Sequence, residues 1–136
     1  MRDLVDRALA LWDGNAATEE DAVDRFREVY ADPLTVNGGL VPLSGMVGRA
    51  RALGEAFTDR RTVVHEVVEG EGTLAFAFEI HARHTGPWPT DDGRTVEPTG
   101  QPIVVQGLDI FRLDDTGRVE AIWALNDLDG ALTRIP

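Results

Sequence analysis

The sequence predicts an α+β domain in which three N-terminal helices pack on a curved, mostly antiparallel sheet. Three observations predict it. Up to about residue 57, apolar side chains recur at spacings of three and four. From Arg61 onward the spacing becomes two. The connections between these alternating runs are too short for crossover helices, so neighbouring strands must run antiparallel.

The elements follow in order. "DLVDRALALWD" puts Leu4, Val5, Ala8, Leu9 and Trp12 on one stripe of a first helix. In "NAATEEDAVDRFREVYAD", Thr18 suits an N-cap, and Glu19, Glu20 and Asp21 lie in the first turn, where the helix dipole favours negative charge. The stripe of this second helix is Ala22, Val23, Phe26, Val29 and Tyr30. Asp32-Pro33 ends it, because a residue before proline avoids the α region. "LTVNGGLVPL" reads as a loop with one short extended piece. Ser44 is placed to cap a third helix, "SGMVGRARALGEAF", with Val47, Ala50, Leu53 and Phe57 inward.

"RTVVHEVVEG" is the first long strand; it has valines on both faces, so either His65 or Glu66 turns inward. "TLAFAFEIHARH" alternates clearly, with Leu74, Phe76, Phe78, Ile80, Ala82 and His84 on one face. "TGPWPTDDGRTVEPTGQP" is a long connection rich in proline and glycine, of a kind that is usually functional or mobile. "IVVQGLDIFRL" and "RVEAIWALND" are further strands joined by the turn "DDTG". "LDGALTRIP" makes a last short helix or frays. No repeat or linker interrupts the chain, so residues 1–136 read as one domain.

Composition bounds the function. The hydrophobic fraction of 43% supports a core. No apolar stretch is long enough to span a bilayer, the N-terminus does not read as a signal peptide, and a cytoplasmic location is expected. Cysteine is absent, which removes disulfides and thiolate chemistry. The net charge of −11 disfavours nucleic acid and anionic membranes as partners. It also disfavours anionic substrates, unless a local arginine cluster overrides it. No phosphate loop, HExxH or GxGxxG is present, and three scattered histidines make no metal site, so the chemistry is expected to need no metal and no cofactor.

One residue breaks the strand pattern. "QGLDIFRL" carries Asp109 on the face of Gly107, Phe111 and Leu113, while Arg112 points the other way and cannot be its partner within the strand.

Several stretches carry a resemblance to a known family. "GLDIFRLDDTGRVEAIWALND" resembles the C-terminal hairpin of nuclear-transport-factor-2-like (NTF2-like) proteins. "ARHTGPW" with "EPTGQPI" resembles the "THxG…PTG" pattern of the SnoaL-like polyketide cyclase branch. "YADPLTV" with "PLSGMVGRARALGEAF" resembles the segment between the second and third helices in that branch and in ketosteroid isomerase. The resemblance implies a cone-shaped NTF2-like fold with an internal apolar cavity. It places Asp109 where the isomerase has a cavity aspartate kept protonated to hydrogen-bond an oxyanion. His84 matches the histidine of "THxG" and is the second catalytic candidate, able to act as acid or base near neutral pH.

The sequence departs from these relatives in places. Asn37 stands where the isomerase carries its base, and Leu9 and Trp12 stand on the helix that carries its tyrosine. The cyclase acid/base pair, a histidine on the strand equivalent to "GLDIF" and an acid near the last-strand tryptophan, is replaced by Asp109 and by Trp123-Ala124. Asn126 is expected to share the cavity side of the last strand with Ile122 and Ala124, with Asp127 at the rim. The expected ligand-lining set is Asn37, Asn126, Phe111, Ile122, Trp12, Phe78 and Trp88, the last either a lid or packed under its own loop. Val119, Trp123, Leu125, Leu108 and Ile110 are left on the outer face, where a second copy would cover them.

The expected function is a cofactor-free acid/base reaction on a small hydrophobic carbonyl compound: polyketide-type cyclisation or double-bond isomerisation. Two alternatives stand beside it. One is an epoxide hydrolase pairing Asp109 with Glu66 or Glu120; the other is a binding or assembly module with no chemistry.

Overall fold

The structure is a computed structural model that describes residues 2–13, 18–90 and 92–133. Helix α1 spans Arg2–Asp13 and α2 spans Glu19–Arg27. The short strands β1 (Tyr30–Val36) and β2 (Gly39–Val41) precede α3 (Leu43–Ala56). Two long strands follow, β3 (Phe57–Gly70) and β4 (Thr73–His84). A small hairpin, β5 (Trp88–Pro89) and β6 (Thr95–Val96), leads to β7 (Pro102–Leu113), β8 (Val119–Asn126) and α4 (Leu128–Thr133). Six strands form one sheet in the order β2-β1-β8-β7-β4-β3. Every pairing in it is antiparallel except β1 with β8. No helix among the described residues is long and apolar enough to cross a membrane.

Thr18 caps α2 as expected, its hydroxyl accepting from Asp21 N at 3.1 Å. The helix ends earlier than the Asp32-Pro33 signal, because β8 captures the chain: Val119 N donates to Val29 O at 2.8 Å and Tyr30 pairs with Val119. Asp32-Pro33 therefore lies inside β1. Pairing with β8 is irregular between Tyr30 and Thr35, where the proline has no N–H to give. The segment expected to be a loop is thus a hairpin.

Helix α3 begins at Leu43, not after a Ser44 cap. Pro42 at its N-cap offers no side-chain bond, and Asp32 Oδ1 from β1 accepts from Leu43 N at 3.1 Å instead. Phe57, expected at the end of the helix, starts β3 directly.

The alternation in β4 holds. Leu74, Phe76, Phe78, Ala82 and His84 are all buried. Bulges modify the neighbouring strands. One between Val64 and Glu66 leaves His65 and Glu66 both exposed, so neither turns inward. A shift at Arg112/Leu113 reverses the facing at the start of β8, and Val119 is fully buried rather than on the outer face. Trp123, Leu125, Leu108 and Ile110 do face outward and are exposed.

The core has two parts. The larger lies between α1–α3 and the inner sheet face; the smaller lies at the far end of the sheet around Phe57, Trp88, Ile103, Val105 and α4. The long connection closes the smaller part. Gly100 N donates to His84 O at 2.7 Å, His84 N donates to Gln101 O at 2.9 Å, and Thr85 N and Gly86 N both donate to Ala56 O. Gly86 is required here, because a Cβ would stand 2.2 Å from Glu55 O. We expect Gly86→Ala to destabilise by about 1–3 kcal/mol through overpacking against backbone. Gly48→Ala, with nothing near its Cβ on α3, should instead stabilise by roughly 0.5–1 kcal/mol. Urea denaturation of the two variants checks both signs.

Candidate active site

Asp109 sits mid-strand on β7, opposite Phe76 on β4 and Ala124 on β8. Its side chain leaves the inner sheet face, which carries the buried rings of Phe76 and Phe111. It is half-buried. Burial pushes its carboxyl from 3.8 up to about 7, because the anion loses hydration there and gains no cation. Among the described residues nothing hydrogen-bonds or ion-pairs with it. Arg112 is exposed on the opposite face, as strand periodicity requires.

Tyr30, read from the sequence as a core helix residue, belongs to the site. Its ring is 1% exposed and packs on Phe26 (5.7 Å) and Phe111 (6.2 Å). Trp12 Nε1 donates to the Tyr30 hydroxyl oxygen at 3.0 Å. Burial raises the phenol well above its ordinary pKa, the Trp12 bond opposes this, and the charge of nearby Asp109 adds to it. Because Trp12 already donates to this oxygen, the hydroxyl's own proton is left to donate elsewhere. A signal existed in the sequence: this is the only tyrosine in the chain, and a buried phenol needs a polar partner. A carboxylic acid and a phenol on one apolar surface can both donate to a carbonyl oxygen and hold charge that develops on it.

Other expected site residues fall into three groups. Phe111 and Ile122 are buried cross-strand partners beside Asp109. Phe78 also lies on that face, its ring over Gly107, where a Cβ would come within 2.4 Å of it. Trp12 reaches the site through Tyr30.

The asparagines serve the backbone. Asn37, at φ 52 in the β1–β2 turn, accepts from Ala124 N (2.8 Å) and donates to Ala124 O (3.2 Å), so both ends of its amide are taken. Asn126 is exposed, and its Oδ1 accepts from Leu128 N at 3.1 Å as α4 begins. Neither presents itself to a ligand beside Asp109.

His84 and Trp88 belong to the smaller core. His84 is fully buried, 5.5 Å from the Phe57 ring, with Nδ1 3.3 Å from the Thr99 hydroxyl and no partner on Nε2. It lies eight residues along β4 from Phe76, the residue facing Asp109, or about 26 Å at ~3.3 Å per residue. The structure does not bring the two catalytic candidates together. Trp88 is buried under its own loop, with the Arg49 guanidinium 4.7 Å over its ring, so it is no lid. Glu66 lies opposite Ala77 on the outer face and Glu120 is exposed, so neither forms a carboxylate pair with Asp109.

A cavity of about 240 Å³ lies between α1, α2 and α3, and Asp109 does not line it. No group of three or more potential metal ligands occurs among the described residues.

The SnoaL-like polyketide cyclase family model matches residues 2–135. Among solved structures, TsrD from Streptomyces laurentii is 18% identical with a TM-score of 0.77, covering 98% of this chain and 95% of that one. A SnoaL-like polyketide cyclase from Agrobacterium tumefaciens is 18% identical with a TM-score of 0.70, covering 96% and 95%. AclR from Streptomyces galilaeus is 20% identical with a TM-score of 0.70, covering 100% and 99%. At such identities these likenesses speak to the fold, which is the NTF2-like architecture the sequence implies. No curated protein matches the sequence.

The Asp109 carboxyl gives a stability test. Unfolded, it ionises near pH 4; folded, it holds its proton up to about pH 7. Its contribution to stability is therefore complete below pH 4 and is lost as pH rises through 7. Asp109→Asn should match wild type near pH 4 and exceed it at pH 8.5, by up to about 4 kcal/mol at 1.36 kcal/mol per pH unit. Denaturation curves of both proteins at the two pH values check this, and a constant difference would refute it.

Proposed function

The chain belongs to the SnoaL-like polyketide cyclase family, and on that premise we propose that its inner sheet face carries an acid site for a small hydrophobic carbonyl compound. The reading rests on one observation: the half-buried Asp109 carboxyl has no partner on an apolar sheet face, beside the Tyr30 phenol that Trp12 orients, and burial there raises its pKa to about 7. Near neutral pH a large share of Asp109 is protonated. It and Tyr30 donate to the substrate's carbonyl oxygen, and as a solvent water takes up the α-proton, the enolate charge falls on an oxygen already held by two donors. The enolate carbon then attacks a second carbonyl in the same molecule, closing a ring as the new alkoxide takes the proton back from solvent, or the solvent proton returns further along, moving a double bond. Phe76, Phe78 and Phe111 keep the surface apolar, which strengthens both hydrogen bonds. The paired-carboxylate hydrolase reading loses support, because Glu66 and Glu120 are turned away.

We infer further that the protein works as a homodimer through its outer sheet face. Leu108 stands opposite Leu125, and Ile110 opposite Trp123, in one exposed block with Val68. Large contiguous apolar patches mark interaction sites, and an exposed sheet face of this kind can pair with its own copy about a two-fold axis.

Four outcomes are expected. On an enolisable diketone assayed by α-proton exchange, kcat/KM should fall as pH rises through about 7. Asp109→Ala should lower it by about 10²–10⁴-fold, and Tyr30→Phe by about 10²-fold. Exchange unaffected by either variant, or turnover of an epoxide but no enone, would remove the proposal. Trp123→Glu with Leu125→Glu should give a folded monomer by sedimentation.

A further inference from the structure

The cavity between the three helices is separate from the Asp109 surface and differs from it in chemistry. Its volume of about 240 Å³ equals roughly eight liquid waters at ~30 Å³ each. The walls are small where the helices meet: Ala10 from α1, Ala22 from α2, Ala50 and Gly54 from α3. The floor is Phe26, whose ring also packs on Trp12 at 5.7 Å. The border is charged. Arg25 from α2 and Arg51 from α3 both line the cavity, both are exposed, and among the described residues neither meets a carboxylate. Arg2, Arg7, Arg27, Arg60 and Arg94 each sit against an aspartate; Arg25 and Arg51 differ from the other arginines without one in that both line the same cavity. Glu55, one turn beyond Arg51 on α3, also lines the cavity.

We propose that this cavity binds a small monocarboxylate with a short apolar body, the carboxylate between Arg25 and Arg51 and the body over Leu11, Ala50 and Gly54, the part of the lining that is not closed off. A chain of net charge −11 repels anions in general, but here two guanidiniums face one carboxylate, Glu55, in the same lining. Guanidinium geometry matches a carboxylate through paired N–H donors. A neutral amphiphile leaves both cations unanswered. A second negative charge on the ligand meets Glu55, so a dicarboxylate is rejected by repulsion. The site does not depend on the Asp109 reading, since no residue is shared.

Titration with octanoate, followed by ¹H–¹⁵N spectra, tests it, with octanol and the dicarboxylate suberate as controls. Octanoate should shift the amides of Ala22, Phe26 and Ala50. Both controls should bind at least about fivefold more weakly. Arg25→Gln and Arg51→Gln should each weaken octanoate about fivefold, the scale of one solvent-screened charged contact. Ala50→Leu should fill the cavity and abolish binding; if that variant does not fold, the exposed arginines decide the matter. Asp109→Asn should bind octanoate as wild type does, which separates failure here from failure of the acid site. Equal affinity for octanoate and octanol, undiminished binding by the double arginine variant, or shifts centred on Asp109 would each overturn the proposal.

Discussion

A carboxyl group without a counterion, on the inner face of a sheet, is the constraint on which the rest turns. Water on that face is scarce enough to hold Asp109 near pKa 7, and no cation relieves it. The state depends on register. A slip of one residue in β7 would exchange Asp109 for Leu108 or Ile110 and send the acid to solvent. Two polar side chains help hold these strands in place. Asn37 grips both backbone groups of Ala124, directly across from Asp109. Asp127 accepts from Gln106 N at 2.8 Å at the other end of the same pair of strands. The amide seen in the sequence as a ligand contact thus acts one step back, by fixing the strand opposite the acid.

The histidine motif has a similar lesson. His84 meets Thr99, Gly100 and Gln101 through backbone and side-chain bonds, while Thr85 N and Gly86 N donate to Ala56 O and Gly86 lies against the end of α3. The two halves of the "HTG…PTG" pattern are a clasp that closes the smaller core. Its glycines permit close approach and, at Gly100, a φ of 69. The long connection is held at its roots and carries its own hairpin, so its length does not mean looseness.

Much of this was legible in the chain. Strand β4 could be read residue by residue, because one face buries aromatics and aliphatics while the other stays partly wet. Asp109 was legible because it violates that pattern. Tyr30 was marked only by being the single tyrosine, and its place was hidden: Val29 and Tyr30 fit a helical stripe as well as a strand, and the choice is made by pairing with Val119, far along the chain. The cap of α3 comes from Asp32, and the inward turn of Val119 from a bulge; neither leaves a local trace. The separation of His84 from Asp109 likewise emerges only when the strands are laid in register.

The junction of α3 with β3 has a consequence of its own. Ala56 ends the helix, Phe57 begins the strand, and no residue lies between them. The carbonyl of Ala56 also anchors two amides of the clasp. A single inserted codon there would rotate the helix by about 100° relative to the strand, or else turn every β3 side chain inside out. Insertions and deletions that lineages of this protein accumulate should therefore collect in the hairpin tips around residues 70–72 and 114–117, leaving this seam at constant length.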